Sequence, residues 1–332
     1  MAISGILSSQ NHYNQRASGL WPTSFYVFQV VATQKAIFGF GQSGSSIVSI
    51  TNLLSNTGVI AGDVSGVGTA RRDLAAAGYG SDKAIFGYGT STGGEAGSVS
   101  ITNLVSNTGV VATDTTGVGS VRYELAAAGY GTDKAMFGYG YRSFQPNNGF
   151  YSEINLISNT GVVATDVSSV GTRRGGLAAA GYGTDKAIFG YGVAAYLGDT
   201  TITNLVSNTG VFATDVTSAG TPRRYLAAAG YGTDKAIFGY GGGNGGPFSV
   251  TNLVSNTGVV ATDTAGVGTT RERLSAANYG TDKAIFVFGE KAASPYYTNI
   301  TSLVSNTGVV ASENSGIGTT RNALAGAGYS ST

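Results

Sequence analysis

The sequence predicts an all-β fold, a six-bladed β-propeller with four-stranded antiparallel blades, and three observations lead there. A phrase of aromatic residues and glycine returns six times at near-constant spacing. Short apolar segments flank every return, separated by turn signals at fixed positions. The last residues of the chain supply a segment that the first repeat lacks, so the array is expected to close on itself.

The repeated phrase begins at Lys35, Lys83, Lys134, Lys186, Lys235 and Lys283, in steps of 48, 51, 52, 49 and 48 residues. A second phrase comes after it each time, as in TNLVSNTGVVATD over 102–114, and a third closes the unit, as in RYELAAAGYGTD over 122–133. From Asn52, Asn103, Asn155, Asn204, Asn252 or Ser302 to the Arg that opens the third phrase is always 19 residues. From that Arg to the next Lys is always 12. All variation in length falls between the aromatic phrase and the Asn. A fixed frame with one variable loop per unit is the pattern of stacked supersecondary units.

Within a unit, four segments read as strands: 74–79, 83–89, 98–105 and 110–113. Ser106-Asn-Thr-Gly109 is a hairpin signal, with Gly at the positive-φ position. Gly131-Thr-Asp133 marks another tight turn. Alternation in 83–89 sends Ala84, Phe86 and Tyr88 one way and Ile85, Gly87 and Gly89 the other. Neither face is polar, so each sheet needs a neighbour on both sides. Phe86 and Tyr88 are expected to fill the space left by glycines of the next sheet. The alanine-rich segment suits the most crowded strand, nearest a central axis.

Six such sheets form a line or a ring. The chain stops after Leu324-Ala-Gly-Ala-Gly-Tyr329-Ser-Ser-Thr332, where the next unit would begin its aromatic strand. The unit at Lys35 has no alanine phrase upstream. The C-terminal segment is therefore expected beside 35–41, closing a ring. Ser24–Val31 competes for the same slot but is bulkier, and is expected outside it.

Composition removes whole classes of function. The 332 residues include 53 Gly, no Cys, one His (His12) and one Trp, and only 11% are charged. No disulfide framework, Cys-ligated metal or two-histidine metal site can be built. A net charge of +1 gives no basic footprint for nucleic acid. No run of 18 apolar residues suggests a membrane helix, and the N-terminus lacks the pattern of a signal peptide. With so few charges, either Ser, Thr, Asn and Gly supply the wet surface or partners cover it.

The unit resembles a kelch repeat: an Arg before a short apolar strand, a turn, an aromatic strand ending in glycine (FGYG), a variable loop, then a hairpin. The resemblance covers 35–332. It departs from the kelch pattern in lacking the double Gly after the second strand and the repeated Trp. The wording DKAIFGYG with SNTGVVATDTTGVGT is also similar to repeat arrays in virion proteins of tailed bacteriophages. That similarity implies a virion location, in the tail, and structural partners.

Candidate chemistry is sparse. The repeated arginines (Arg71, Arg122, Arg174, Arg223, Arg271, Arg321) either ring a channel and bind an anion or bond loop carbonyls between sheets, and the second role is expected. The repeated acids (Asp63, Asp114, Asp166, Asp215, Asp263, Glu313) are expected to cap turns, since one carboxylate per unit does not make a calcium site. GGGNGG (241–246) precedes no helix and reads as a loop. Glu95, Glu153, Asp199 and Glu290 lie in or beside variable loops without visible partners, so no catalytic pair, metal or cofactor is expected, and no enzyme.

The variable loops carry the informative residues: Tyr141, Arg142, Phe144, Phe150, Tyr151, Tyr196, Phe248, Tyr296 and Tyr297. Exposed aromatics beside Asn and Gly suit contact with protein or with sugar. The plain alternative is that they pack on neighbouring loops. Residues 1–34, with Trp21, Phe25, Tyr26 and Phe28, are too few for a core of their own and read as an arm that attaches to a partner subunit. The resulting expectation is a non-enzymatic tail or tail-fibre component of a virion, a rigid disc within a multi-subunit assembly. The alternative is a carbohydrate-binding adhesin, extracellular or at a cell surface. Neither nucleic acid nor membrane insertion is expected.

Overall fold

The computed structural model describes residues 34–92, 95–142, 149–168 and 170–330. Residues 1–33 of the predicted arm, including Trp21, Phe25, Tyr26 and Phe28 and the competing segment 24–31, lie outside them, as does Phe144, whereas Gln34, assigned to the arm, belongs to the first strand, Gln34–Gly39. The described chain is all-β, with a short 3-10 turn at Glu95–Gly97.

Six antiparallel sheets share one plan, each made of an alanine strand, an aromatic strand and an asparagine strand. The first three sheets are Ala75–Tyr79, Lys83–Gly87 and Thr102–Val105; Ala126–Tyr130, Lys134–Gly138 and Ile154–Ile157; and Ala178–Tyr182, Lys186–Gly190 and Ile202–Val206. Two more are Ala227–Tyr231, Lys235–Gly239 and Thr251–Val254; and Ser275–Tyr279, Lys283–Val287 and Thr301–Val304. The sixth takes its alanine strand from the far end of the chain: Ala325–Ser330 pairs with Gln34–Gly39, which pairs with Thr51–Leu54. Its register, Lys35 opposite Tyr329 and Phe38 opposite Gly326, is that of Lys83 opposite Tyr79 and Phe86 opposite Ala76. The slot beside 35–41 is thus filled by the C-terminal segment, as the repeat spacing predicts.

The fourth predicted strand is mostly absent as a regular strand, and the reason is a bulge. Val105 pairs with Val111, yet Thr102 pairs with Thr115, so three steps on one side face four on the other. The same one-residue slip recurs between Leu54–Ile60 and Thr51–Val64, and between Val254–Val260 and Thr251–Thr264. A residue inserted in one strand breaks the ladder and bends the chain beyond it. Here the Asn103 side chain fills the break, donating from Nδ2 to the Ala112 carbonyl at 3.0 Å. Only Val216–Thr217 extends such a segment into a fourth strand.

The core lies between sheets. Its six apolar clusters each join residues of two sheets consecutive in the chain, or of the fifth and the closing sheet. The alanine strands also adjoin in that order, and Ala325–Ser330 touches both Ala75–Tyr79 and Ser275–Tyr279. Two glycine positions permit this approach in every unit but the fifth, which has Asn278 and Val287 there. A Cβ on Gly78 would lie 2.8 Å from the Gly328 carbonyl, so neighbouring alanine strands meet backbone to backbone there. A Cβ on Gly87 would overlap the Phe137 ring, and one on Gly190 would lie 2.8 Å from Phe238.

The phenylalanines therefore fill the glycine slots, as expected, but the tyrosines do not share their face. Phe86 belongs to the cluster on one side of its sheet and Tyr88 to the cluster on the other. Tyr88 has φ of 65°, which ends the strand's alternation and turns the ring to meet Phe137 edge-on at 5.1 Å.

Candidate functional site at the loop end

Antiparallel pairing places the parts along each sheet. Alanine strands start beside the repeated Arg and end at a tight hairpin. Aromatic strands return from it to the variable loop. All variable loops and all repeated arginines therefore share one end, the loop end, while the hairpins and the Ser-Asn-Thr-Gly turns share the other.

The repeated arginines are wholly buried and serve the frame. Arg71 donates to the carbonyls of Tyr88 (2.8 Å) and Thr69 (3.1 Å) and to Asn103 Oδ1 (2.6 Å). Its guanidinium lies over the Phe40 ring of the preceding sheet at 4.3 Å. Every unit repeats the stack, through Arg321 over Phe288 at 4.4 Å. Burial pushes the Arg71 and Arg321 guanidiniums down to about 10, so both stay charged at neutral pH. Asp114 completes the network, accepting from Thr69 N (2.9 Å), Thr69 Oγ1 (2.6 Å) and Asn103 Nδ2 (2.9 Å). Partial burial raises its carboxyl, and these hydrogen bonds outweigh that, so the group sits below the usual carboxylate range. The sixth copy crosses the chain ends, with Arg321 on Asn52 and Thr319 on Asp63. The arginines and acids are structural, as predicted, but by other contacts: Arg71 crosses to the preceding sheet through its stack on Phe40, and Asp114 ties Thr69, 45 residues earlier, instead of capping its own turn. Among the described residues no cluster of His, Cys, Asp and Glu could hold a metal ion.

Two residues beyond each Arg stands a position that repeat alignment hides, because no two units carry the same residue there: Asp73, Glu124, Gly176, Tyr225, Arg273 and Ala323. All six have positive φ, from 50° to 62°. Their backbones form a closed hydrogen-bonded circle: Glu124 N–H donates to Asp73 O, Gly176 to Glu124, Tyr225 to Gly176, Arg273 to Tyr225, Ala323 to Arg273 and Asp73 to Ala323, at 2.7–2.9 Å. The left-handed backbone costs roughly 1 kcal/mol at each non-glycine position, which this circle offsets.

The six side chains interlock by size. Arg273 reaches past Ala323 to Asp73 Oδ1 at 2.7 Å. Tyr225 lies against the Cα of Gly176 and donates to Glu124 Oε1 at 3.0 Å. The Arg273 guanidinium stacks 3.7 Å over Tyr225, with Glu124 Oε1 also 3.7 Å away. One guanidinium thus serves two carboxylates, whose side chains are 7% and 12% exposed. Burial, then the neighbouring Asp73, pushes the Glu124 carboxyl up to about 7, against the pull of Arg273. Leu74, Leu125, Leu177, Leu226, Leu274 and Leu324 underlie the circle around a cavity of about 70 Å³. Outer polar pairs continue the face: Arg72 with Gln42 (2.6 Å), Arg224 with Asp199 (3.1 Å) and Asn322 with Glu290 (2.7 Å).

The predicted contact residues divide. Tyr141 packs between Tyr123 (5.6 Å) and Phe150 (4.9 Å), and both Tyr141 and Phe150 press on Gly175, so these two support neighbouring loops. Arg142, Tyr151, Phe248 and Tyr297 are half-buried. Tyr196, at a hairpin tip, is 92% exposed beside Leu197 at 63%, and Tyr296 is 55% exposed. Among the described residues these two tyrosines, on separate loops, are the exposed aromatics of this face.

No family model matches the chain. No curated protein matches it either.

Proposed function

We propose that the described chain is a six-bladed, kelch-like β-propeller that works without catalysis, as a rigid disc in a multi-subunit assembly, the tail or tail fibre of a bacteriophage virion. The observation that carries this reading is the division of labour between frame and loops. In every unit the buried Arg bonds Asn or Ser302, and an acid accepts from a Thr or Ser, while what varies is confined to one end, where Tyr196 and Tyr296 stand exposed. The cyclic succession of core clusters supports the propeller, since a line of six sheets would have five interfaces and leave two apolar faces bare. A constant body with one variable end suits attachment to a specific protein partner.

The test is mass spectrometry of purified phage particles from a strain carrying the coding sequence. Stoichiometric recovery of the chain with the tail supports the proposal, and its absence from intact particles refutes it. Removing residues 1–33 tests the arm: the rest, with Gln34 kept in its strand, should fold and fail to join the particle. A glycan-binding adhesin is the second reading, favoured by the exposure of Tyr196 near the polar Asp199–Arg224 pair. A glycan array separates the two.

A further inference from the structure

A second, larger cavity opens at the opposite, hairpin end. It runs along the inside of the alanine strands and has a volume of about 270 Å³. Its walls carry Lys83, Lys134, Lys186 and Lys235, while Asp185 is the one carboxylate that lines it. The cations that line this cavity are therefore four lysines, not the buried arginines.

Two features turn this from a lysine cluster into a shaped receptor. The first is how the acids are held. Each Lys pairs with the Asp before it, at 2.6–3.5 Å. The second oxygen of Asp133, Asp185 and Asp234 is held by Asn159, Asn208 and Asn256 of the Ser-Asn-Thr-Gly turns. These hydrogen bonds fix the carboxylates against the outer turns, and the lysines beside them line the cavity wall.

The second feature is a built-in stand-in. Ser81, Thr132, Thr184, Thr233 and Thr281 occupy equivalent hairpin positions, all with positive φ of 64–71°, and all five line the cavity. At Thr281 the backbone N–H donates to Gln34 Oε1 at 3.2 Å, and Gln34 also lines the cavity. The equivalent N–H groups of Ser81, Thr132, Thr184 and Thr233 have no such acceptor among the described residues. Gln34 stands in the column of Asp133, Asp185, Asp234 and Asp282, whose shorter side chains are held by their lysines instead, so it shows that the position accepts a partly negative oxygen and that four copies of it remain open, each two residues from a lysine.

We propose that the hairpin-end cavity is a binding site for a small oxyanion of two or more negative charges, a polyphosphate or a polycarboxylate. Its oxygens take the open N–H groups while the lysines neutralise the charge. Lysine suits the role as a mobile point charge that adapts to either anion. The site lies at the end away from the variable loops and stands independently of the proposed virion role.

The experiment titrates the full chain with inorganic tripolyphosphate in one arm and citrate in the other, following backbone amides by NMR and heat by calorimetry. Saturable one-to-one binding by either anion is expected, with amide shifts at Ser81, Thr132, Thr184 and Thr233 and little shift at Thr281. Binding in one arm only assigns the class of anion. K134Q/K186Q/K235Q should weaken binding by about tenfold or more, with an unchanged far-ultraviolet spectrum. As the lysine side chains are partly exposed, the single variant K186Q serves if the triple variant does not fold. No saturable binding of either anion at millimolar concentration overturns the proposal. So does binding that the lysine substitutions leave intact.

Discussion

The ring of Phe38 lies over Gly326 so closely that a Cβ there would overlap it. Phe38 keeps the phenylalanine of the frame, and the closing interface departs from that frame at Gly326 and Val287. Five aromatic strands carry glycine where the fifth sheet has Val287, and five alanine strands carry alanine where the closing strand has Gly326. Val287 fills the slot that receives a phenylalanine elsewhere, and Phe38, Val287 and Phe288 share one cluster. The glycine has in effect moved from one partner to the other, and it makes this seam unlike the other five.

G326A should therefore destabilise the fold by about 1–3 kcal/mol, the cost of overpacking. V287G, which reopens the ordinary slot, should recover part of that loss in the double variant. Denaturant unfolding of the four proteins measures the coupling. Additive effects would show that the two sites do not share the Phe38 ring.

R71A should lower stability by about 3 kcal/mol or more, because it leaves Asn103 Oδ1 and the Tyr88 carbonyl without their donor inside the core. R71K should not rescue it. An ammonium on a flexible stem does not serve two carbonyls, an amide oxygen and the Phe40 face together. The shift of the thermal midpoint checks both.

The pH profile should carry two opposed signs. The Glu124 carboxyl is raised in the folded chain, so between its ordinary value of 4.5 and about 7 the folded state holds more protons than the unfolded one. Stability from this group is full at the acid side of that window and is lost as pH rises through it. E124Q should flatten this slope and gain roughly 1–3 kcal/mol at pH 8. Asp63, Asp114, Asp166, Asp215 and Asp263 are lowered, so their contribution is present above their ordinary value of 3.8 and lost as pH falls below it. Chemical denaturation across pH 3–8 measures both limbs.

Substitutions on the loop face should separate support from contact. Y141A removes a ring packed on Tyr123 and Phe150 and should cost about 1 kcal/mol. Y196S, at a site 92% exposed, should leave stability within about 0.5 kcal/mol while weakening particle incorporation or glycan binding.

Much of this architecture is readable from the sequence, because six copies average out local ambiguity. Fixed distances from Asn to Arg to Lys reveal the strands, the Phe-on-Gly packing and the pairing of 325–330 with 34–39. What stayed hidden has physical causes. The face of Tyr88 depends on a left-handed φ that a residue type does not announce. The slip between Asn103 and Asp114 looks like an ordinary hairpin until the pairing is known. Asp73, Glu124, Tyr225 and Arg273 escape notice because aligning repeats discards a column in which every member differs, and their partners are other units' residues at the same position.

The union of Gln34–Gly39 with Ala325–Ser330 also bears on synthesis. While the ribosome is still making the chain, the earliest sheet waits with its inner edge bare until residues 325–330 emerge. Intermediate sheets can assemble as they leave the ribosome, yet the seam sets only after the sixth repeat has been made. Losing a handful of residues from 325–330 would then harm the fold far more than losing an equal stretch from a variable loop. A nascent array would be most vulnerable to aggregation just before that segment appears.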